Sequence, residues 1–432
     1  MRRAGASAYY SQQRASAKLP AWSMSHVIHA SRRRFLGSCG AAAGALLVPR
    51  WLHAAPRLKV TGFELLPVRA SERTVWLIVR LQTDAGLTGL GEASDAFGFA
   101  NTTKEDAARM EAELRGLFEL VQGRSPLDIE SYRQRGLALA SKGLVQATAY
   151  SAIEQALWDL AGKALDVPVS SLFGGRVRDR LPVYANVNRA TTPRTTAGFA
   201  AAATRAVRDG FKAVKAAPWD GFPAAGSPAA QVEAAVQAGI TATRAMRVAI
   251  GPNVELMVDC HSFFDVALAT RVAKALEPLS LAWYEEPVAP ERLEDTLAIH
   301  RAIRQPMAGG EVLFGVAGFA PLSRNRAVNV IMPDVKHCGG LLELTRIAAM
   351  ADADAVAVAP HNPSGPVSTA ATVQVCAVLR NFRLLEYQWG EAAWRQDLLS
   401  PAERFAGGAI EVPDRPGFGV DLNDAVVRAH LI

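Results

Sequence analysis

The period of the hydrophobic positions changes twice along the chain. From 57 to 92 apolar residues alternate with polar ones or run in short blocks, in RLKVTGFELLPV, TVWLIVRLQTDAG and LTGLGEAS. Such blocks around a Gly-containing turn predict strands. Between 103 and 165 they recur at helical spacing, as in KEDAARMEAELRGLFELV and ATAYSAIEQALWDLAGKAL. A meander followed by helices predicts a small α+β domain, placed at 56–178. From 179 to 394 eight short apolar blocks alternate with Ala-rich helical stretches: LPVYANV, FKAVKAA, ELMVDC, LAWYEE, PMAGGE, VNVIMPD, AVAVAPH and FRLLEYQ. Buried strands alternating with helices predict a parallel barrel. The Pro- and Gly-containing tail 395–432 is expected to pack back on the first domain.

Charge removes the first 55 residues from the folded part. The net charge is +6, yet residues 1–50 hold eight basic residues and no acid, so the remainder carries 39 basic against 41 acidic groups. The basic balance belongs to the leader, and a nucleic-acid partner loses its electrostatic footing. Within the leader, Ser31-Arg32-Arg33-Arg34-Phe35-Leu36-Gly37 precedes the apolar run SCGAAAGALLV and the small residues of HAAP. Basic region, short apolar region and small-residue exit form an export signal too short to span a bilayer. SRRRFLG resembles the twin-arginine signal, so a periplasmic protein with no stable membrane anchor is expected. Cys39 falls in the leader; Cys260, Cys338 and Cys376 lie in apolar runs without CxxC spacing and read as core thiols.

Nearly every candidate strand of the second half ends in a polar or ionisable residue: Lys215, Asp259, Glu285, Glu311, Asp334, His361 and Glu386. A strand-end acid is ordinarily a cap or a solvated loop residue. A succession of them suits a barrel, whose C-terminal strand ends converge on one mouth. Asp259, Glu285 and Glu311 are spaced by 26 residues (285 − 259 and 311 − 285), about one β/α unit. Three carboxylates at one height repel one another without a cation, and all-oxygen ligands suit Mg²⁺. Asp259 and His261, two apart at a strand end, are expected on one face.

The ordered set VDCH, WYEEP, GGE, MPDVKHCGG and APHNPSGP resembles the enolase superfamily, mandelate racemase/muconate lactonizing enzyme type, and within it the galactonate dehydratase-like acid-sugar dehydratases. The resemblance runs from about residue 57 to the end. It implies an α+β capping domain over a modified (β/α)7β TIM-type barrel, a homo-oligomer and a sugar-acid substrate. It implies a metal triad of Asp259, Glu285 and Glu311, with Glu286 structural, and an Asp334–His361 dyad as general base. Glu386 matches an acid near the substrate oxygens, and His261 is placed to protonate a leaving hydroxyl. Lys215 begins Lys-Ala-Ala where many racemases carry Lys-x-Lys, so their second base is missing; Lys215 either steadies a substrate carboxylate or is a structural cation. Arg189 is positioned to reach a substrate hydroxyl. Specificity is expected in loops 66–72, 93–103 and APWDGF, with Phe97, Phe99, Trp219 and Phe222 as an apolar lid. The expected reaction is loss of the proton α to a carboxylate and of the 3-hydroxyl, giving a 2-keto-3-deoxy acid. Racemisation or epimerisation of a 2-hydroxy acid, and sugar-acid binding without catalysis, remain as the other readings.

Overall fold

The structure, a computed structural model, describes residues 58–98 and 102–432. The leader with Cys39, and Phe99, lie outside the described residues.

Strands β1 (Val60–Arg69), β2 (Val75–Thr83) and β3 (Thr88–Glu92) form an antiparallel meander. Leu66 and Val68 pair with Ile78 and Trp76 inside β1–β2, so residues 66–69, expected in a loop, belong to a strand. Alternation of buried side chains fixes them there, and the connecting loop is 70–74. Helices α1 (Lys104–Phe118), α2 (Ile129–Ala140) and α3 (Leu144–Leu165) follow, with a short α4 (Val169–Leu172) leading out. Thr103 starts α1 with a reciprocal capping box to Asp106, which satisfies two end groups at once. Helix α3 lies against β3 so closely that a Cβ on Gly91 would stand 2.0 Å from the Ala152 carbonyl oxygen.

The barrel strands are β4 (Arg180–Asn186), β5 (Ala213–Ala216), β6 (Glu255–Asp259), β7 (Trp283–Glu285), β8 (Met307–Gly309), β9 (Val330–Ile331), β10 (Ala357–Val358) and β11 (Leu385–Gln388). They alternate with α5 (Thr196–Arg208), α6 (Ala229–Ile250), α7 (Val266–Leu276), α8 (Leu293–Ala302), α9 (Gly315–Arg324), α10 (Gly340–Ala353) and α11 (Pro366–Cys376). Neighbouring strands pair in parallel from β4 through β10, β11 returns to β4, and Val358 bridges Phe382 to close the ring. This is a (β/α)7β barrel with an α+β cap. Residues 395–432 add the short strands β12 (Leu399–Ser400), β13 (Phe405–Ala406), β14 (Ala409–Glu411) and β15 (Asp421–Leu422), and then α12 (Asp424–His430). Strand β14 pairs with β4, while Leu431 bridges Val68 of the cap.

The barrel interior explains where the chemistry falls. Tyr184, Ala213, Met257, Trp283, Ala308, Met332, Ala359 and Leu384 form one buried apolar cluster. Two residues further along the chain stand Asn186, Lys215, Asp259, Glu285, Gly310, Asp334, His361 and Glu386. Because strand side chains repeat every second residue, the apolar floor dictates a polar layer directly above it. Cys260, Cys338 and Cys376 are buried free thiols. Among the described residues no helix is long and apolar enough to cross a membrane.

Candidate active site

At the barrel mouth Asp259, Glu285 and Glu311 bring carboxylate oxygens within 4.8 Å of one another, all buried. Asp259 and Glu285 are paired in register on β6 and β7. Trp283 Nε1 donates to Glu285 Oε2 at 2.7 Å, which fixes that carboxylate. Glu311 reaches the cluster by a different route. Strand β8 stops at Gly309, and Gly310 turns at φ 109°, so Glu311 rather than residue 310 faces inward. The turn is held by Glu286, whose Oε1 accepts the N–H groups of Gly310 (2.6 Å) and Glu311 (3.3 Å). Glu286 therefore supports a triad member instead of joining the triad.

Burial raises Glu285 well above the ordinary carboxylate range, and the Asp259 charge adds to the rise. For Asp259 the same burial is outweighed by His261 and Lys215, which hold its carboxyl below that range. Glu311 Oε2 has no hydrogen-bond partner among the described residues. Three buried, mutually repelling carboxylates with an unsatisfied oxygen fit a hard divalent cation.

Lys215, 2% exposed, sits beside the triad. Its Nζ lies 2.5 Å from Glu285 Oε1, 2.9 Å from Glu386 Oε1 and 3.7 Å from Asp259 Oδ2. Glu386 also accepts from Asn186 Nδ2 (2.8 Å) and from the Asn362 N–H (2.8 Å). Lys215 thus offsets clustered acids in this structure.

Two histidines flank the triad, each held by its own carboxylate. His361 Nδ1 lies 2.8 Å from Asp334 Oδ2, and its Nε2 lies 3.4 Å from Glu311 Oε2. Burial lowers the pKa of His361, but Glu311 and the Asp334 bond outweigh it and the net shift is upward. The Asp334 bond fixes the ring so that Nε2 faces the mouth. Lys336, in the same MPDVKHCGG run, places Nζ 3.1 Å from Asp334 and 3.2 Å from Asp95 of the cap.

His261 lies 2.5 Å through Nδ1 from Asp220 Oδ1 and 3.1 Å through Nε2 from Asp259 Oδ2. Burial is outweighed by Asp259 and the Asp220 bond, and its pKa rises to about 12. The reason for its nearness to Asp259 differs from the shared strand face expected. Strand β6 ends at Asp259, and His261 and Ser262 turn at φ 43° and 60°. The Asp259 side chain anchors that turn by accepting the His261 N–H at 2.9 Å. Asp220, in the APWDGF loop, also receives Asn188 Nδ2 and Arg194. No sequence spacing marked it as a histidine partner, because the contact joins two barrel loops.

Arg189, just past β4, is committed to the seam between cap and barrel. It pairs with Asp95 at 3.0 Å and with Glu391 at 3.3 Å, and it bonds Thr74. Trp219 is buried and packs edge-on against Phe264, while Phe222 stacks on Phe263. Trp219 is therefore a packing residue of the loop. Phe97 faces the Arg109 guanidinium at 5.0 Å.

The mouth of a capped barrel thus holds an acidic triad that could bind a metal ion, flanked by two carboxylate-held histidines. The sequence matches the mandelate racemase/muconate lactonizing enzyme N-terminal domain over residues 60–174 and the enolase C-terminal domain-like family over 198–426. It is 32% identical to D-xylonate dehydratase of Haloferax volcanii, over 83% of this chain and 85% of that one. It is equally 32% identical to D-galactonate dehydratase of Ralstonia pickettii, over 82% and 90%. Among solved structures, a mandelate racemase/muconate lactonizing enzyme from Jannaschia sp. CCS1 superposes with a TM-score of 0.77 at 29% identity, over 87% of this chain and 98% of that one. The chain belongs to the mandelate racemase/muconate lactonizing enzyme family of the enolase superfamily, and it is an enzyme of the carbon–oxygen lyase class.

Proposed function

We propose that this protein is a Mg²⁺-dependent acid-sugar dehydratase converting a polyhydroxy acid to its 2-keto-3-deoxy product. The observation that carries the reading is the pair of histidines on the two flanks of the triad, one against Glu311 and one against Asp259, each bonded to a second carboxylate. Elimination needs a base for the C2 proton and an acid for a leaving hydroxide, and the site has one candidate for each.

Asp259, Glu285 and Glu311 would hold the cation, which supplies Lewis acidity to the substrate carboxylate. His361 Nε2 takes the C2 proton while Asp334 accepts from Nδ1 and steadies the imidazolium that forms. His261, held by Asp220, gives its proton to the 3-hydroxyl as the C–O bond breaks. The resulting enol tautomerises to the keto acid. Glu386, tied to Lys215 and Asn362, keeps that lysine charged beside the developing negative charge. Lys215 donates to Glu285 and Glu386 instead of standing free, which favours elimination over racemisation between His361 and Lys215.

His361→Asn should abolish both keto-acid formation and exchange of the C2 proton with solvent deuterium. His261→Asn should block dehydration and spare the exchange. Semicarbazide-reactive product separates dehydration from epimerisation, and binding without turnover in the presence of Mg²⁺ would favour a carrier. The relatives named for D-xylonate and D-galactonate make those two aldonates the first substrates to assay. Export belongs to the proposal on the strength of the SRRRFLG leader alone. Periplasmic activity that survives Arg32→Lys with Arg33→Lys would count against twin-arginine export.

A further inference from the structure

Strand β11 sends two polar side chains into the barrel. Leu384 belongs to the interior apolar floor, whereas Leu385 and Tyr387 belong to the outer core under the helices. Tyr387 Oη bonds Glu403 on that outer side at 2.9 Å. Strand alternation therefore turns Glu386 and Gln388 inward, with Gln388 one layer nearer the mouth. Gln388 pairs in register with Asn186 on β4, and Asn186 pairs with Lys215 on β5. Glu386, below it, has its oxygens taken by Lys215, Asn186 and Asn362. Gln388 is 1% exposed, yet neither Oε1 nor Nε2 has a hydrogen-bond partner among the described residues. Asn362, which bonds the Glu386 backbone oxygen through Nδ2, likewise leaves Oδ1 without a partner.

Buried primary amides are nearly always bonded, because the solvent they lost must be replaced. A fully orphaned one at the mouth of a barrel is a group waiting for a ligand. We propose that Gln388 is a specificity-determining, substrate-binding residue whose amide grips a hydroxyl of the sugar acid; this rests on the sugar-acid reading above. One amide offers a donor and an acceptor side by side, which a hydroxyl, itself both, can satisfy. A carboxylate would face Oε1 and the neighbouring Glu386 charge, so the acid end of the substrate belongs at the triad and a hydroxyl end at Gln388. Asn362 Oδ1 supplies a second acceptor from the adjoining loop.

The test compares wild type with Gln388→Met and Gln388→Leu on D-xylonate and D-galactonate with Mg²⁺, alongside melting temperature without substrate. The expected result is a roughly tenfold to hundredfold fall in kcat/KM, mostly through KM. The melting temperature should hold or rise, since an unbonded buried amide has been removed. Unchanged KM in both variants overturns the inference while leaving the dehydratase reading intact. A lower melting temperature in both, with KM raised, also overturns it, because the amide is then bonded within the protein. Failure of the wild type to dehydrate any aldonate in a wider panel overturns the sugar-acid reading and this inference with it.

Discussion

His361 and His261 have the same side chain but are held in different surroundings. His361 shares Asp334 with Lys336, so the carboxylate that orients it is partly neutralised by a buried cation. His261 stands between Asp220 and Asp259, and both acids push its pKa upward against burial. In the proposed reaction His261 is the proton donor, and Asp220 is what sets its ring. Asp220→Asn should therefore lower dehydration about 10- to 100-fold, the usual cost of losing such an orienting carboxylate. Exchange at C2 should persist, because His361 is untouched. If dehydration and exchange fell together, Asp220 would be acting on the fold instead of on His261.

Elements of the cap and the barrel are joined by buried polar bonds. Glu154 on α3 accepts the N–H groups of Leu341 (2.7 Å) and Leu342 (2.9 Å) at the start of α10, and the indole of Trp158 (2.6 Å). A carboxylate at a helix N-terminus satisfies end donors that otherwise lack partners. Burial nonetheless raises its pKa from 4.5 to about 7, because these bonds do not fully offset desolvation. The native state then holds a proton that the unfolded chain has released between about pH 4.5 and 7. Stability contributed at this site must fall as pH rises through that window and level off above it. Glu154→Gln, which cannot titrate, should gain on wild type in melting temperature between pH 5 and 7.5, and a constant difference would refute the assignment. Gly91→Ala should cost about 1–3 kcal/mol in urea unfolding, since its Cβ would meet the Ala152 carbonyl of α3 at 2.0 Å and backbone cannot yield cheaply.

For the whole molecule the central fact is the concentration of negative charge at the mouth. Lys215 offsets part of it, and the proposed cation offsets the rest. Chelation should abolish turnover, and Mg²⁺ should restore it. Mg²⁺ at 100 times its Kd should also stabilise the fold by about 2.7 kcal/mol through mass action, read as a rise in melting temperature. Glu285→Gln should remove most of that rise. From the triad the polar network runs outward through Asp334, Lys336 and Asp95 to Arg189, Glu391 and Thr74. Cap and barrel mouth are thereby held by the residues that surround His361.

The chain by itself determined the two textures, the eight barrel strands and the polar residue at or just past the end of most of them. Each of these is a local periodicity that burial imposes on any strand, whatever its partners. The 26-residue steps were legible too, because one β/α unit has a nearly fixed length and successive strands lie side by side. Tertiary structure decided which groups meet across loops: Asp220 with His261, Asp95 with Lys336 and Arg189, Glu154 with the start of α10. It turned Glu311 inward through Gly310 and placed residues 66–69 in a strand. It also left Gln388 buried without a hydrogen-bond partner among the described residues, which no pattern in FRLLEYQ shows. Contacts between distant segments depend on how the closed barrel folds its loops over the mouth, and hydrophobic periodicity carries no information about that.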